Sequence, residues 1–179
     1  RYHPVATEGG HADFAPRDDL ETALLAFLRQ QYDHVSWERL LSGPGLVNIY
    51  RFFTESLARP VSPALATAMA AGDPAAAIGA AAVAGTSPTA VEAVDLFIRL
   101  YGAQAGNLAL TTMAVGGIYV GGGIAPKLLP RLTAGGAFVG GFTSKGRYTS
   151  LMAQIPVWVI LDPKTARLGA AVAAIALLA

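Results

Sequence analysis

Cysteine is absent from the whole chain, which excludes disulfides and any zinc site built on thiolates. Charge is scarce as well. Asp, Glu, Lys and Arg make up 14% of the residues, and 13 basic against 12 acidic side chains leave a net charge of +1. So weak a field gives no electrostatic footprint for nucleic acid, and nucleic-acid binding is set aside on that ground. Long hydrophobic runs are missing too. The final apolar stretch, Leu168 to Ala179, has 12 residues, short of the roughly 20 that cross a bilayer, so no membrane partner is expected. The first residues show no basic region followed by an apolar segment, so no secretory signal is expected and a cytoplasmic protein follows.

What the chain has in excess is apolar surface. Hydrophobic residues reach 53% of 179, much of that excess being alanine, a composition that favours closely packed helices in one domain with a sizeable core.

Two runs carry chemistry. The first, Glu8-Gly9-Gly10-His11-Ala12-Asp13-Phe14-Ala15-Pro16, sets a carboxylate and an imidazole three residues apart, with two glycines between them that allow a tight turn. The second, His34 to Asn48, reads HVSWERLLSGPGLVN and adds Glu38, thirty positions after Glu8. Carboxylates accept hydrogen bonds from vicinal hydroxyls and a neutral imidazole donates or accepts, so the set suits a polyhydroxyl ligand such as a sugar. Each residue also has an ordinary reading. Glu8 is then a strand-end carboxylate, His11 a turn hydrogen bond, and Glu38 a solvated helix position or a partner of Arg39 or Arg51. Asp13 reads as structural, capping or pairing, and His3 and His34 as structural or exposed. The corner Ser42-Gly43-Pro44-Gly45 reads as a helix-to-helix turn that positions Glu38.

The periodicity predicts a helix from Asp18 or Asp19 to about Gln31 with Leu20, Ala23, Leu24, Phe27 and Leu28 on its buried face. A short helix carries Glu38, and another runs from Pro44 through Leu57. Ser62 and Asp73 stand where N-caps belong. Ser87-Pro88 opens the longest helix, its buried face carrying Val91, Val94, Ile98, Tyr101, Ala105 and Leu108, with Gly102 and Gly106 leaving room for another backbone. From Gly116 the period shortens. Gly117 to Val120 and Gln154 to Ile160 read as buried strands, with a helix from about Ala125 to Leu132 between them and a helix from about Thr165 at the end. Gly135–Ser150 reads as a surface loop or short helical turn. This order is α/β. Gly121-Gly122-Gly123, between strand and helix, offers backbone N–H groups with no Cβ in the way of a flat base or a phosphate. It is also what a plain tight connection looks like.

The motifs EGGHxDFAP, HVSxERxLSGPGLVNxY, GGIYVGGGIAPKLLP and FTSKGRYTSLMAQIPVWVI, in that order and over nearly the whole chain, resemble the proteobacterial type of glucokinase, the hexokinase-like enzymes that phosphorylate glucose with ATP. The resemblance implies an actin-like ATPase or ribonuclease H-like large C-terminal lobe, a helix-rich layer on a mixed sheet, spanning residues 1–179. It places the sugar contacts on Glu8, His11 and Glu38, and the adenosine-contacting turn on Gly121, Gly122 and Gly123. It implies glucose and ATP as substrates, Mg2+ with the ATP, a role in glycolysis and a two-fold homodimer. The family's Asp-Gly-Gly-Thr phosphate loop, its Gly-Thr-Gly segment and the Asn-Asp pair holding the catalytic aspartate are not found in these letters. No catalytic residue is therefore assigned here, and the isolated chain is expected to be inactive. A non-catalytic sugar sensor built on the same shelf is the alternative, and a purely structural module the third class.

Overall fold

The computed structural model describes residues 5–178, so His3 lies outside the described residues. Helix α1, Asp19–Leu28, starts where the Asp18 carboxylate accepts the Glu21 N–H at 2.8 Å. It ends earlier than its pattern suggests. The Gln30 and Gln31 N–H groups turn back to Phe27 and Leu28, tightening the last residues into shorter turns. Leu24, Phe27 and Leu28 enter the core as expected, whereas Ala23 faces solvent.

Glu38 lies on the short helix expected there, a single 3₁₀ turn, Trp37–Arg39. Helix α2, Gly43–Arg51, follows, with Pro44 in its first turn and the Ser42 hydroxyl accepting the Gly45 N–H at 3.0 Å. It runs on into a wider π turn, Phe52–Ser56. Helices α3 (Pro63–Ala71), α4 (Pro74–Ala84) and α5 (Pro88–Thr112) are capped by Ser62, Asp73 and Ser87, the residues marked by the sequence.

Helix α5 is the centre of the molecule. Its buried positions include Ala90, Ala93, Val94, Phe97, Ile98, Leu100, Ala103 and Ala109, more than one stripe, because α2, α4 and a later helix all pack on it. Leu108, expected inside, is exposed. The later helix is α8, Ala137–Thr143, in the segment that reads as a surface loop or short helical turn. It is buried because glycines remove the bulk between two backbones: a Cβ on Gly102 would run into the Phe138 carbonyl, and one on Gly141 into the Arg99 carbonyl. Phe138 and Phe142 then fill the flanks.

Strands β1 (Ile118–Val120) and β2 (Val157–Val159) pair in parallel, Ile118 opposite Val157 and Val120 opposite Val159. Between the described residues the sheet amounts to this pair, and the one antiparallel element is an isolated bridge between Asp13 and Ser36. The helix expected after β1 is two short ones, α6 (Ile124–Lys127) and α7 (Leu129–Thr133). Pro130 has no N–H to continue the ladder, so the run breaks at Leu128. A 3₁₀ turn, Gly146–Tyr148, and α9, Thr149–Met152, lead into β2, and α10, Thr165–Leu178, ends the fold. No single described helix is long and apolar enough to cross a membrane.

Candidate functional site

The two chemical runs are held side by side by backbone. Phe14 donates its N–H to the Val35 carbonyl at 2.9 Å, and Trp37 donates to Ala12 at 3.0 Å. Beneath this pairing the buried Phe14 and Trp37 rings meet edge to face, centroids 5.1 Å apart. Beside it, His34 Nε2 and Asp13 Oδ1 stand 2.7 Å apart, so both find a structural pairing across the two segments. Register is thereby set, and the residues just outside the pairing, His11 and Glu38, face each other.

Glu8 opens a 3₁₀ turn, Gly9–His11, closed by the His11 N–H donating to the Glu8 carbonyl at 2.9 Å. The turn folds the imidazole back between two carboxylates: His11 Nδ1 is 3.5 Å from Glu8 Oε2 and His11 Nε2 is 3.2 Å from Glu38 Oε2. All three side chains remain more than half exposed. Their remaining lone pairs are therefore open to a ligand. They line one rim of a groove of about 540 Å³, whose other walls are Tyr101, Gln104 and Leu108 of α5 and Ile118 to Gly121 of β1 and its turn. The α5 residues carry no local motif that marks them. Tyr101 reads in the sequence only as part of a buried stripe, and burial pushes its phenol pKa upward.

The glycine turn is divided. Gly121 lines this groove, while Gly122 holds a left-handed φ of +99° and Gly123 leads directly into the four residues of α6. A Cβ on Gly122 meets nothing within 4 Å, so glycine is required there by backbone angle and not by crowding. On the far side of the turn, Ile124, Lys127 and Leu128 face Gly79, Val83 and Ala84 of α4 and the Ser42–Gly43 corner across a second cleft of about 560 Å³. The strip from Glu38 to Gly43 thus separates the two hollows, with Glu38 facing one and Ser42 the other. Among the described residues no group of three or more His, Asp or Glu side chains could hold a metal ion.

Comparisons with known proteins agree with the four-motif resemblance. A family model described as glucokinase matches residues 1–177. The chain is 45% identical over 187 residues to the glucokinase of Nostoc sp., covering 97% of this chain and 54% of that protein. It is 42% identical over 170 residues to the glucokinase of Yersinia pestis, covering 95% and 50%. The chain therefore spans about half the length of the curated relatives it matches. Among solved structures, a glucokinase from an Antarctic psychrotroph superposes with a TM-score of 0.75 at 33% identity, over 88% of this chain and 46% of that one. A glucokinase from Balamuthia mandrillaris in complex with glucose also gives 0.75, over 89% and 44%, and at 20% identity bears on the fold alone.

Proposed function

The chain belongs to the glucokinase family, and we propose that its groove is the sugar shelf of an ATP-dependent glucose kinase, the enzyme that makes glucose 6-phosphate at the start of glycolysis in the cytoplasm. The observation that carries this is the convergence of Glu8, His11 and Glu38, thirty residues apart at the extremes, into one chain of contacts on a groove rim. Phosphoryl transfer asks little covalent chemistry of the protein and much positioning. Glu8 and Glu38 accept hydrogen bonds from ring hydroxyls, His11 supplies a third point, and three points fix the ring so that its 6-hydroxyl is aimed at the γ-phosphate of ATP.

The nucleotide is assigned to the other side of the Gly121–Gly123 turn. The cleft behind Ile124 is largely walled by alanine, glycine and aliphatic side chains, which suits the flat face of an adenine. The general base, the phosphate contacts and the Mg2+ that accompanies ATP are assigned to the half of the relatives' length that this chain does not span. Closure of that further part over the groove would exclude the water that competes for ATP.

Calorimetric titration of glucose tests the shelf. Glu8→Ala and Glu38→Ala are each expected to weaken binding on the order of tenfold, the scale of one lost charge-assisted hydrogen bond. Unchanged affinity in both would remove the assignment. A coupled assay of the purified 179-residue chain with glucose and ATP is expected to show no turnover above background, because one positioned substrate supplies no in-line geometry. Turnover at the level of an ordinary kinase would contradict it.

A two-fold homodimer is the proposed assembly. Leu161, Leu168, Val172 and Ile175 are exposed on and beside α10, apolar side chains that a two-fold partner would cover. Light scattering across a concentration series is expected to give one mass near twice 18.4 kDa. A constant monomer mass would end the idea.

A further inference from the structure

We propose that Asn48 is a positioning residue for Glu38, fixing the turn that presents this carboxylate to the groove; the inference rests on reading the groove as a sugar site. Asn48 sits on α2, is buried with 6% relative exposure, and does not itself line the groove. Its Nδ2 lies 2.9 Å from the Arg39 carbonyl oxygen, in the same 3₁₀ turn as Glu38. A carbonyl can only accept, so the amide group must face it with its NH₂, and the orientation of the side chain follows from the partner. The second N–H points toward the Tyr32 hydroxyl at 3.4 Å, and the Arg39 guanidinium lies over the Tyr32 ring at 4.2 Å.

The preceding carbonyl is tied from the same helix. The Ser42 hydroxyl donates to the Glu38 carbonyl at 2.7 Å while accepting the Gly45 N–H at 3.0 Å. Two successive carbonyls of a short exposed turn are thus both held by side chains belonging to α2 or its cap. A 3₁₀ turn of three residues has little hydrogen bonding of its own. The α2 side must also approach closely, because a Cβ on Gly45 would collide with the Leu40 backbone. Of the two tethers, the one from Asn48 is the more buried. Releasing it frees the Arg39 peptide to rotate and carries the Glu38 side chain away from His11, to which it now stands at 3.2 Å.

Asn48→Asp is the test variant. It conserves size but replaces the donor with an acceptor facing a carbonyl oxygen, and Asn48→Ala is its uncharged companion should Asp prevent folding. Two readouts are taken on the 179-residue chain: the nuclear Overhauser contact between the His11 ring and the Glu38 side chain, without ligand, and the affinity for glucose. Loss of the contact and about a tenfold weaker glucose affinity are expected, with Asp at least as harmful as Ala although it leaves no cavity. In a Glu38→Ala background, neither Asn48 variant should weaken glucose any further, since the tether would have nothing left to aim. A retained His11–Glu38 contact, or an Asn48 effect of the same size with Glu38 absent, overturns the proposal. If the unmodified chain binds no glucose, the sugar reading fails by itself and the ligand-free contact decides the positioning claim.

Discussion

Gly102→Ala is expected to destabilise the fold by about 3 kcal/mol, against a helix-propensity gain of about 1 kcal/mol that the same exchange brings in an open helix. The sign is decided by what the new methyl meets. Gly102 lies mid-way along α5 where α8 crosses it, and the nearest group is the Phe138 carbonyl of α8, followed by the Phe142 N at 3.0 Å. A flexible side chain could step aside, but a helix backbone moves only with its whole helix. Gly106 is equally closed, with the Phe142 carbonyl oxygen 2.5 Å from where its Cβ would be. Gly140, on the same α8, has nothing within 4 Å. Gly140→Ala is therefore expected to gain up to about 1 kcal/mol, giving an internal control of opposite sign. Denaturant melts of the two variants check both signs, and a Gly102→Ala protein as stable as the parent would remove the close crossing.

Glu21→Ala is expected to cost about 3 kcal/mol, the low end of the range for breaking a buried ion pair, because the guanidinium groups left behind keep some solvent and Arg99 keeps Asp18. Glu21 has no exposed surface. Its carboxylate is held bidentately by Arg17, with Oε1 2.6 Å from NH2 and Oε2 3.2 Å from Nε, and it also accepts the Arg17 backbone N–H at 2.8 Å. From α5, Arg99 NH2 stands 3.1 Å from Oε1 and Arg99 NH1 2.7 Å from Asp18 Oδ2. Removing Glu21 leaves Arg17 without its carboxylate and Arg99 with Asp18 alone at the joint between α1 and α5. The pH dependence carries the same mark. Desolvation opposes ionisation of Asp18, but the Glu21 N–H and the Arg99 guanidinium outweigh it and hold its carboxyl below the ordinary value. A carboxyl lowered by folding contributes stability that is whole above its unfolded pKa and is lost as the pH falls through the lowered folded value. The acid limb of the stability curve should therefore flatten in Arg99→Ala. An acid limb unchanged in that variant would contradict the account.

The convergence of the candidate site residues was more legible than the packing beneath them. Glu8, His11 and Asp13 are close in sequence, and Glu38 is brought to them by a short pairing whose apolar residues, Phe14, Val35 and Trp37, are all local to the two runs. The N-caps were legible for the same reason, since Asp18, Ser62, Asp73 and Ser87 act within three residues. What escaped depends on partners far along the chain. The glycine-rich stretch 135–150 reads as a surface loop or short helical turn unless one knows that α5 offers Gly102 and Gly106 to receive it. Glu21 reads as one more polar helix position, because Arg99 lies 78 residues away (99 − 21). Nor does any local pattern reveal that Gln104 and Tyr101 form the wall opposite His11.

The most direct test of the sugar shelf is a glucose titration of the isotopically labelled 179-residue chain followed by its backbone amide resonances. The account predicts saturable shifts confined to Thr7–His11, Trp37–Leu41 and the facing groove wall, with the α10 amides unmoved and with 2-deoxy or epimeric sugars binding more weakly. No saturable shifts at millimolar glucose, or shifts centred away from Glu8, His11 and Glu38, would contradict it.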